Sequence, residues 1–315
     1  MAQQANQPLP SGHTLEEYTI DRQLSLGGFS IVYLATDPSG RQVAIKEYIP
    51  NSLSLRGKGE TKPVISADHL GAFRYGMKCF FEEGRALARL SHPNVIRVLN
   101  FFRANDTVYL VMEYEHGRTL QEYIQKHQGH ISERFMRGVF TRMLNGLREV
   151  HSHKLLHLDM KPSNIYLRAD NTPVLIDFGA ARQTLASDQP MLKPMYTPGF
   201  ASPEHYNTRK DLGPWSDIYS VGASMYACLA GCAPQAADAR LNKDVLVPAM
   251  MRWDGQFSDR MLEIIDWCLN LNHLYRPQSV FALQKALVEA VTPPTPKVNP
   301  NWLGRFVETL RKPIK

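Results

Sequence analysis

At Tyr114 the hydrophobic pattern of this chain changes period, and that change limits its fold more than any other feature. Upstream, YTIDRQLSL, IVYLATD and RQVAIKEYI alternate apolar and polar residues with β-branched side chains, the pattern of half-buried strands. A Pro-Ser-Gly turn between the second and third predicts a hairpin. NSLSLRGKGETKP reads as a loop, and FFEEGRALARL as a helix that starts near Phe80 and ends at SHPN. VIRVLNFF and TVYLVMEY, separated by Asn-Asp, read as two more strands. Downstream of Tyr114 the period lengthens to 3.6. Residues 133–151 place Phe135, Val139, Phe140, Met143, Leu144, Leu147 and Val150 on one face. Residues 217–231 are apolar nearly all round, as in a helix at the centre of a domain. Residues 260–270 and 279–291 are further amphipathic helices. The expected class is α+β: a small antiparallel sheet with one main helix, then a larger, mostly helical lobe.

At 315 residues and 43% hydrophobic content the chain has ample material for a core. No run reaches the roughly 18 apolar residues of a membrane span. MAQQANQPLPSGH lacks the basic and apolar regions of a secretory signal, so a cytoplasmic location is expected. The four cysteines, Cys79, Cys228, Cys232 and Cys268, form no CxxC pair and are expected to be reduced. The formal net charge of +6 is unevenly placed: residues 292–315 carry a net +4 and residues 51–78 a net +3, so the remaining body is close to neutral. That excludes a broad nucleic-acid-binding face.

The chemistry-bearing residues recur in a fixed order. SLGGFS lies between two strands; Gly27 and Gly28 suit either an ordinary hairpin or a close approach of backbone N–H groups to phosphate. VAIK ends a strand on Lys46, which is either a surface lysine or an inward ammonium paired with Glu83 of the following helix. HLDMKPSN then gathers Asp159, Lys161 and Asn164 in one short loop, and 13 residues after Asn164 comes DFG with Asp177. An amide and a carboxylate from adjacent loops are hard oxygen donors suited to Mg²⁺ on phosphate oxygens. Asp159 is then free to accept a proton from an attacking hydroxyl, and Lys161 to stabilise charge on the transferred group. SPE (202–204) completes the series.

With these motifs in this order, residues 14–291 resemble a eukaryotic-type (Hanks-type) protein serine/threonine kinase. HLDMKPSNIYL, DFGAAR, TPGFASPEHY and GPWSDIYSVGASMY are similar to its bacterial members. The resemblance implies a bilobal fold, an N-lobe over about 14–113 and a C-lobe over about 114–291. It implies Mg²⁺–ATP as cofactor, with Mn²⁺ as the alternative metal, and proteins with Ser or Thr acceptors as substrates. Lys46 and Glu83 would form the ion pair that positions the phosphates, Asp159 would be the base, and Lys161 would contact the γ-phosphate. Asn164 and Asp177 would be the metal ligands. Leu24, Ser25, Leu26, Gly27, Gly28, Phe29 and Ser30 would cover the nucleotide. Val32 and Ala44 above and Tyr166 below would hold adenine, with Met112 as gatekeeper and Glu113, Tyr114 and Glu115 as hinge. Glu204 would pair with Arg276, Asp217 would hold the catalytic-loop backbone, and Thr197 would contact Asp159 and Lys161.

Several departures qualify these expectations. Ser25 and Ser30 stand where the family's first and third glycines usually lie, which predicts a looser grip on nucleotide without loss of binding. Leu158 replaces the arginine that normally meets a phosphorylated activation segment, so activity is expected not to depend on that phosphorylation. Autophosphorylation at Thr184, Ser187 or Thr197 and a cognate phosphatase remain compatible with this. Lys46 and Glu83 lie 37 residues apart, a surplus assigned to a basic insertion, 51–78, read as a solvated loop or a docking element. Residues 1–13 are expected to be disordered. After a Pro-rich linker, the tail within 292–315 is expected to form a basic amphipathic helix with Trp302, Leu303, Phe306, Val307 and Leu310 on one stripe, docking on protein or on a membrane surface. The alternatives to an active protein kinase are a pseudokinase scaffold, against which all six motif residues are present, and a small-molecule phosphotransferase, which would lack the TPG…SPE segment and Arg276.

Overall fold

The computed structural model describes residues 5–128, 130–178, 196–206 and 211–289. The N-terminal part is a six-stranded antiparallel sheet in the order β1-β2-β3-β4-β6-β5. Its strands are β1 (Thr14–Leu15), β2 (Tyr18–Leu26), β3 (Ser30–Thr36), β4 (Gln42–Tyr48), β5 (Val98–Ala104) and β6 (Thr107–Glu113). Helix α1 (Ala67–Leu87) packs on one face through Phe73, Phe80 and Leu87. The other face is closed by Ile20, Ile31, Tyr33, Val43, Ile45, Tyr109 and Val111.

Alternation along β4 decides the two roles of this lobe. Ala44, Lys46 and Tyr48 lie on the face shared with α1, and Val43, Ile45 and Glu47 on the opposite face. Each charged residue is buried, so each needs a partner of opposite charge.

The C-terminal part contains α2 (Leu120–Lys126), α3 (Glu133–Ser152), α4 (Pro203–Tyr206), α5 (Pro214–Ala230), α6 (Ala237–Asn242), α7 (Ala249–Arg252), α8 (Asp259–Cys268) and α9 (Val280–Glu289). A small sheet, β7 (Gly117–Thr119), β8 (Ile165–Arg168) and β9 (Pro173–Leu175), underlies the junction of the lobes. Helix α3 begins at Ser132, whose hydroxyl accepts the Phe135 N–H, and buries the apolar face expected of it. Helix α5 is buried along nearly its whole length. It approaches α8 closely enough that a Cβ on Gly222 would lie 2.4 Å from Cys268 Cβ. No helix among the described residues is long and apolar enough to cross a membrane.

Two expectations about the N-terminal third are corrected. Residues 5–13 are not disordered: Asn6 and Leu9 are buried, and Leu9 joins the outer apolar cluster of the sheet. The segment 51–78 is a solvated loop only in part: most of residues 51–66 are exposed, but Ser54, Arg56 and Pro63 are buried. Helix α1 starts at Ala67, well before Phe80, so the last part of that segment is helix. Arg56, within the preceding loop, is fully buried and forms a bidentate pair with Glu47, Nη1–Oε1 2.6 Å and Nη2–Oε2 2.7 Å. Neither feature has a periodicity to announce it; both are held by side-chain bonds to distant residues. The tail 292–315 and the sites Thr184 and Ser187 lie outside the described residues.

Candidate active site

Between the lobes lies a cleft of about 580 Å³. Leu24, Ser25, Val32, Ala44 and Lys46 line it from the sheet; Met112, Glu113, Tyr114 and Glu115 from the connection between lobes; Asn164, Tyr166 and Asp177 from the C-terminal side. Apolar walls with a few convergent polar groups suit a flat aromatic base with a charged extension. Leu26, Gly27, Gly28, Phe29 and Ser30 do not line the cavity itself. They form the turn above it, closed by the Gly27 N–H donating to Ser30 O at 2.9 Å. Ile96, Glu122, Ser163 and Phe178 also line the cleft: Ser163 and Phe178 sit beside Asn164 and Asp177 in the motifs already named, whereas Ile96 and Glu122 come from segments with no motif and are brought there by the tertiary structure.

The ammonium of Lys46 departs from expectation. Its carboxylate partner among the described residues is Asp177, not Glu83. Both carboxylates line the cleft, and Glu83 is buried on α1. Asp177 has φ +59°, an uncommon conformation for a non-glycine residue, and its carboxylate meets Lys46 of β4.

Asp159 is held from three sides. Lys161 Nζ donates to Oδ2 at 2.7 Å, Asn164 Nδ2 to Oδ2 at 3.0 Å, and Thr197 Oγ1 to Oδ1 at 3.0 Å. Lys161 Nζ also donates to Thr197 Oγ1 at 2.8 Å, so the contacts expected of Thr197 are present. These three donors fix the orientation of the carboxylate, which is placed to act as a proton acceptor. The amide nitrogen of Asn164 also donates to the Asp159 carbonyl at 2.9 Å. With the nitrogen so engaged, Asn164 offers its amide oxygen to the cleft that it lines. Its own carbonyl accepts the Ile176 N–H at 3.0 Å, which fixes the neighbouring Asp177 loop beside it. One amide oxygen and one carboxylate fit a small hard cation that takes its other ligands from phosphate and water.

The loop that carries Asp159 is anchored from α5. Asp217 accepts the N–H groups of His157 (Oδ2, 2.9 Å) and Leu158 (Oδ1, 2.7 Å) and a 2.7 Å bond from His151 Nε2 to Oδ2. Burial pushes the Asp217 carboxyl up, but the His151 bond and the other donors more than offset it and hold the group below its ordinary value. Leu158 itself has φ +60°, an uncommon conformation for a residue branched beyond Cβ, and is buried. The Asp217 bond on its N–H and a 3.1 Å contact from His205 Nε2 to its carbonyl retain it there. His157 packs against Phe178 of DFG with ring centroids 4.4 Å apart and the planes tilted by 39°, and burial pushes both His157 and His205 below the ordinary histidine range. Glu204 and Arg276 form the expected buried pair, Oε1–Nη2 2.9 Å and Oε2–Nη1 3.2 Å, joining α4 to the segment before α9.

Comparison with known proteins agrees with this architecture. Residues 18–288 match the family model described as the protein kinase domain. Over 252 residues, 78% of the chain, the sequence is 30% identical to serine/threonine-protein kinase PLK4 of Drosophila sechellia, and over 244 residues 31% identical to that of Drosophila persimilis. The chain spans about 30% of the length of these curated relatives. Among solved structures, the apo form of PpkA-294 aligns with a TM-score of 0.77 at 32% identity, covering 89% of this chain and 99% of that one. The PknI kinase domain of M. tuberculosis shares the fold with a TM-score of 0.66 at 20% identity, covering 90% of this chain and 98% of the other. The chain belongs to the protein kinase family, whose members use ATP and a divalent metal.

Proposed function

We propose that this chain is an active serine/threonine protein kinase that transfers the γ-phosphoryl of Mg²⁺–ATP to hydroxyls of protein substrates. The observation that carries the reading is the environment of Asp159, a carboxylate held in place by hydrogen bonds from Lys161, Asn164 and Thr197 beside Asn164 and Asp177, which line the same cleft.

In this reading, adenine lies between Val32 and Ala44 above and Tyr166 below, against the backbone of residues 113–115. Lys46 contacts the phosphates, with Glu83 on the same side of the cleft. Bound at Asn164 and Asp177, Mg²⁺ neutralises phosphate charge; Mn²⁺ fits the same donors. Asp159 orients the acceptor hydroxyl and takes its proton, while Lys161 stabilises charge on the transferred group. Positioning and electrostatics supply most of the acceleration, and turnover on the order of 1–100 s⁻¹ is typical of such kinases. Thr197 beside Asp159 and Lys161 favours serine and threonine acceptors. The catalytic unit runs from about residue 14 to 291, with the ordered segment before it serving as support. A cognate phosphatase is the natural counterpart of such an activity, and the basic tail is assigned to docking on protein in preference to membrane.

The test is incubation with γ-labelled ATP and Mg²⁺ in the presence of a mixed protein substrate, followed by phosphoamino-acid analysis. Label on serine or threonine supports the reading. Label confined to small-molecule hydroxyls, or nucleotide binding without transfer, overturns it in favour of a small-molecule phosphotransferase or a scaffold.

A further inference from the structure

The turn over the cleft lacks two of the glycines expected of it, and the structure supplies an external support for it. Downstream of β4, the Ile49 N–H donates to Phe29 O at 3.0 Å and the Asn51 N–H to Gly28 O at 2.8 Å. The descending limb of the turn is thus stitched to residues 49–51. Those residues are in turn gripped by Asn6. Its side-chain amide donates to Ile49 O (3.2 Å), Asn51 Oδ1 (2.7 Å) and Ser54 O (3.2 Å), and its Oδ1 accepts the Arg56 N–H at 2.6 Å. One 1%-exposed side chain therefore gathers four groups of the 49–56 loop.

The next residue continues the clamp. Gln7 N–H donates to Arg56 O at 3.0 Å, and Arg56 Nε donates back to Gln7 O at 2.8 Å. The Arg56 guanidinium is locked to Glu47, whose carboxylate also accepts from the Tyr33 and Tyr109 hydroxyls at 2.7 and 2.8 Å. Tyr33 and Glu47 belong to β3 and β4, the two strands that carry the turn and Lys46, so the buried charge pair fixes the clamp to the sheet. A buried pair held by this many hydrogen bonds resists loosening, because opening it exposes a charge without its partner.

We infer that residues 5–9, through Asn6 and the Arg56–Glu47 pair, are a positioning element for the nucleotide-covering turn Leu26–Ser30, setting the affinity for ATP rather than the rate of transfer. The inference rests on the reading of the cleft as an ATP site. Physically, the backbone freedom that Ser25 and Ser30 withhold is matched by an anchored descending limb, so the turn is pre-ordered over the phosphates. Pre-ordering raises affinity by reducing what binding must immobilise. Asp159, Lys161 and Asn164 are held by separate bonds within the C-terminal lobe, so loosening the clamp leaves the transfer machinery in place.

The experiment compares the full chain with Asn6→Ala and with a deletion of residues 1–9, and uses E47Q/R56M as a variant that removes both buried charges together. Amide exchange at Ile49 and Asn51 and steady-state kinetics are measured on each, with thermal unfolding to establish that each is folded. In Asn6→Ala the Asn51 amide is expected to exchange faster and KM for ATP to rise about three- to tenfold, with kcat within about twofold. The deletion and the double variant should move both readouts in the same direction. Faster unfolding with unchanged Asn51 exchange and unchanged KM for ATP would overturn the proposal, as would a fall in kcat at constant KM. If the wild-type chain transfers no phosphoryl group, the kinase reading fails; the exchange data, which need no catalysis, still decide whether the strap holds the turn.

Discussion

Asp217 Oδ1 accepts the backbone N–H of Leu158 at 2.7 Å, across 59 residues of sequence, and holds a buried leucine at positive φ one residue before the proposed base. The second oxygen of the same carboxylate binds the His157 N–H and His151. Replacing Asp217 by Asn turns one acceptor into a donor that faces an N–H. The expected cost is about 1–3 kcal/mol of stability, the penalty of a buried unsatisfied group. Released from this hold, Asp159 is expected to lose alignment, lowering kcat more than it changes KM for ATP. Chemical denaturation with parallel kinetics checks both parts.

The Thr197 hydroxyl bonds both Lys161 and the proposed base Asp159. A Thr197→Ser protein keeps that hydroxyl and should stay close to wild-type activity. Thr197→Val keeps the shape and removes the bonds to Asp159 and Lys161. Misplacement of groups of this kind costs on the order of 10–10² in rate, and that range is expected for kcat here. Equal rates for the two variants would show that the hydroxyl has no part in alignment.

Leu158 occupies a position that carries arginine in kinases switched by phosphorylation. It is buried, with its backbone held by Asp217 and His205, and offers no guanidinium to a phosphate. Phosphatase treatment of the purified protein is therefore expected to leave most of the activity in an initial-rate assay, before autophosphorylation recurs. Loss of all activity on dephosphorylation, restored with a lag in ATP, would sink this account of the loop.

Two buried histidines give stability a defined pH dependence. Burial holds His157 and His205 below the ordinary value of 6.5, so the folded chain keeps them neutral where the unfolded chain takes up protons. The unfolded state binds more protons as pH falls below about 6.5, so stability is complete above that value and is lost progressively beneath it. Each histidine contributes up to about 1.4 kcal/mol per pH unit in this window. Denaturant midpoints at pH 7.5 and 5.5 should differ accordingly, and His205→Asn should reduce the difference. A midpoint higher at pH 5.5 would contradict the assignment of both groups as neutral.

Much of this arrangement is legible in the linear sequence, for identifiable reasons. The segment YTIDRQLSL coincides with the span of β2, though its alternation in burial holds only over Tyr18–Ile20, and the 3.6-residue stripe from Val139 to Val150 lies on the buried face of α3. These periods are local consequences of burying one face. The residues of HLDMKPSN can be read together because they lie within one loop, and Glu204 with Arg276 because the resemblance supplies the pairing. What is not legible has either a weak local signal or a distant partner. The start of α1 at Ala67 lies in a stretch with a weak apolar stripe, and Asn6, Leu9 and Arg56 belong to segments without periodicity whose partners are elsewhere on the sheet. Lys46 meets Asp177 in place of Glu83, because two carboxylates reach the same cleft and sequence order does not say which one the ammonium meets. Composition misleads once: Arg56 counts toward a basic attachment in the sequence, and its charge is neutralised inside the fold by Glu47.

The role of Asp159 is tested by the single-turnover rate of phosphoryl transfer to a serine- or threonine-containing protein, measured with Mg²⁺–ATP on the wild type and on Asp159→Asn of matched thermal stability. The exchange removes the proton acceptor while keeping a group able to bond Lys161. A fall of about 10²–10⁴ in rate, with ATP affinity nearly unchanged, is the predicted result. Equal rates in the two proteins would contradict the assignment of Asp159 as the base, and with it the account of how this site works.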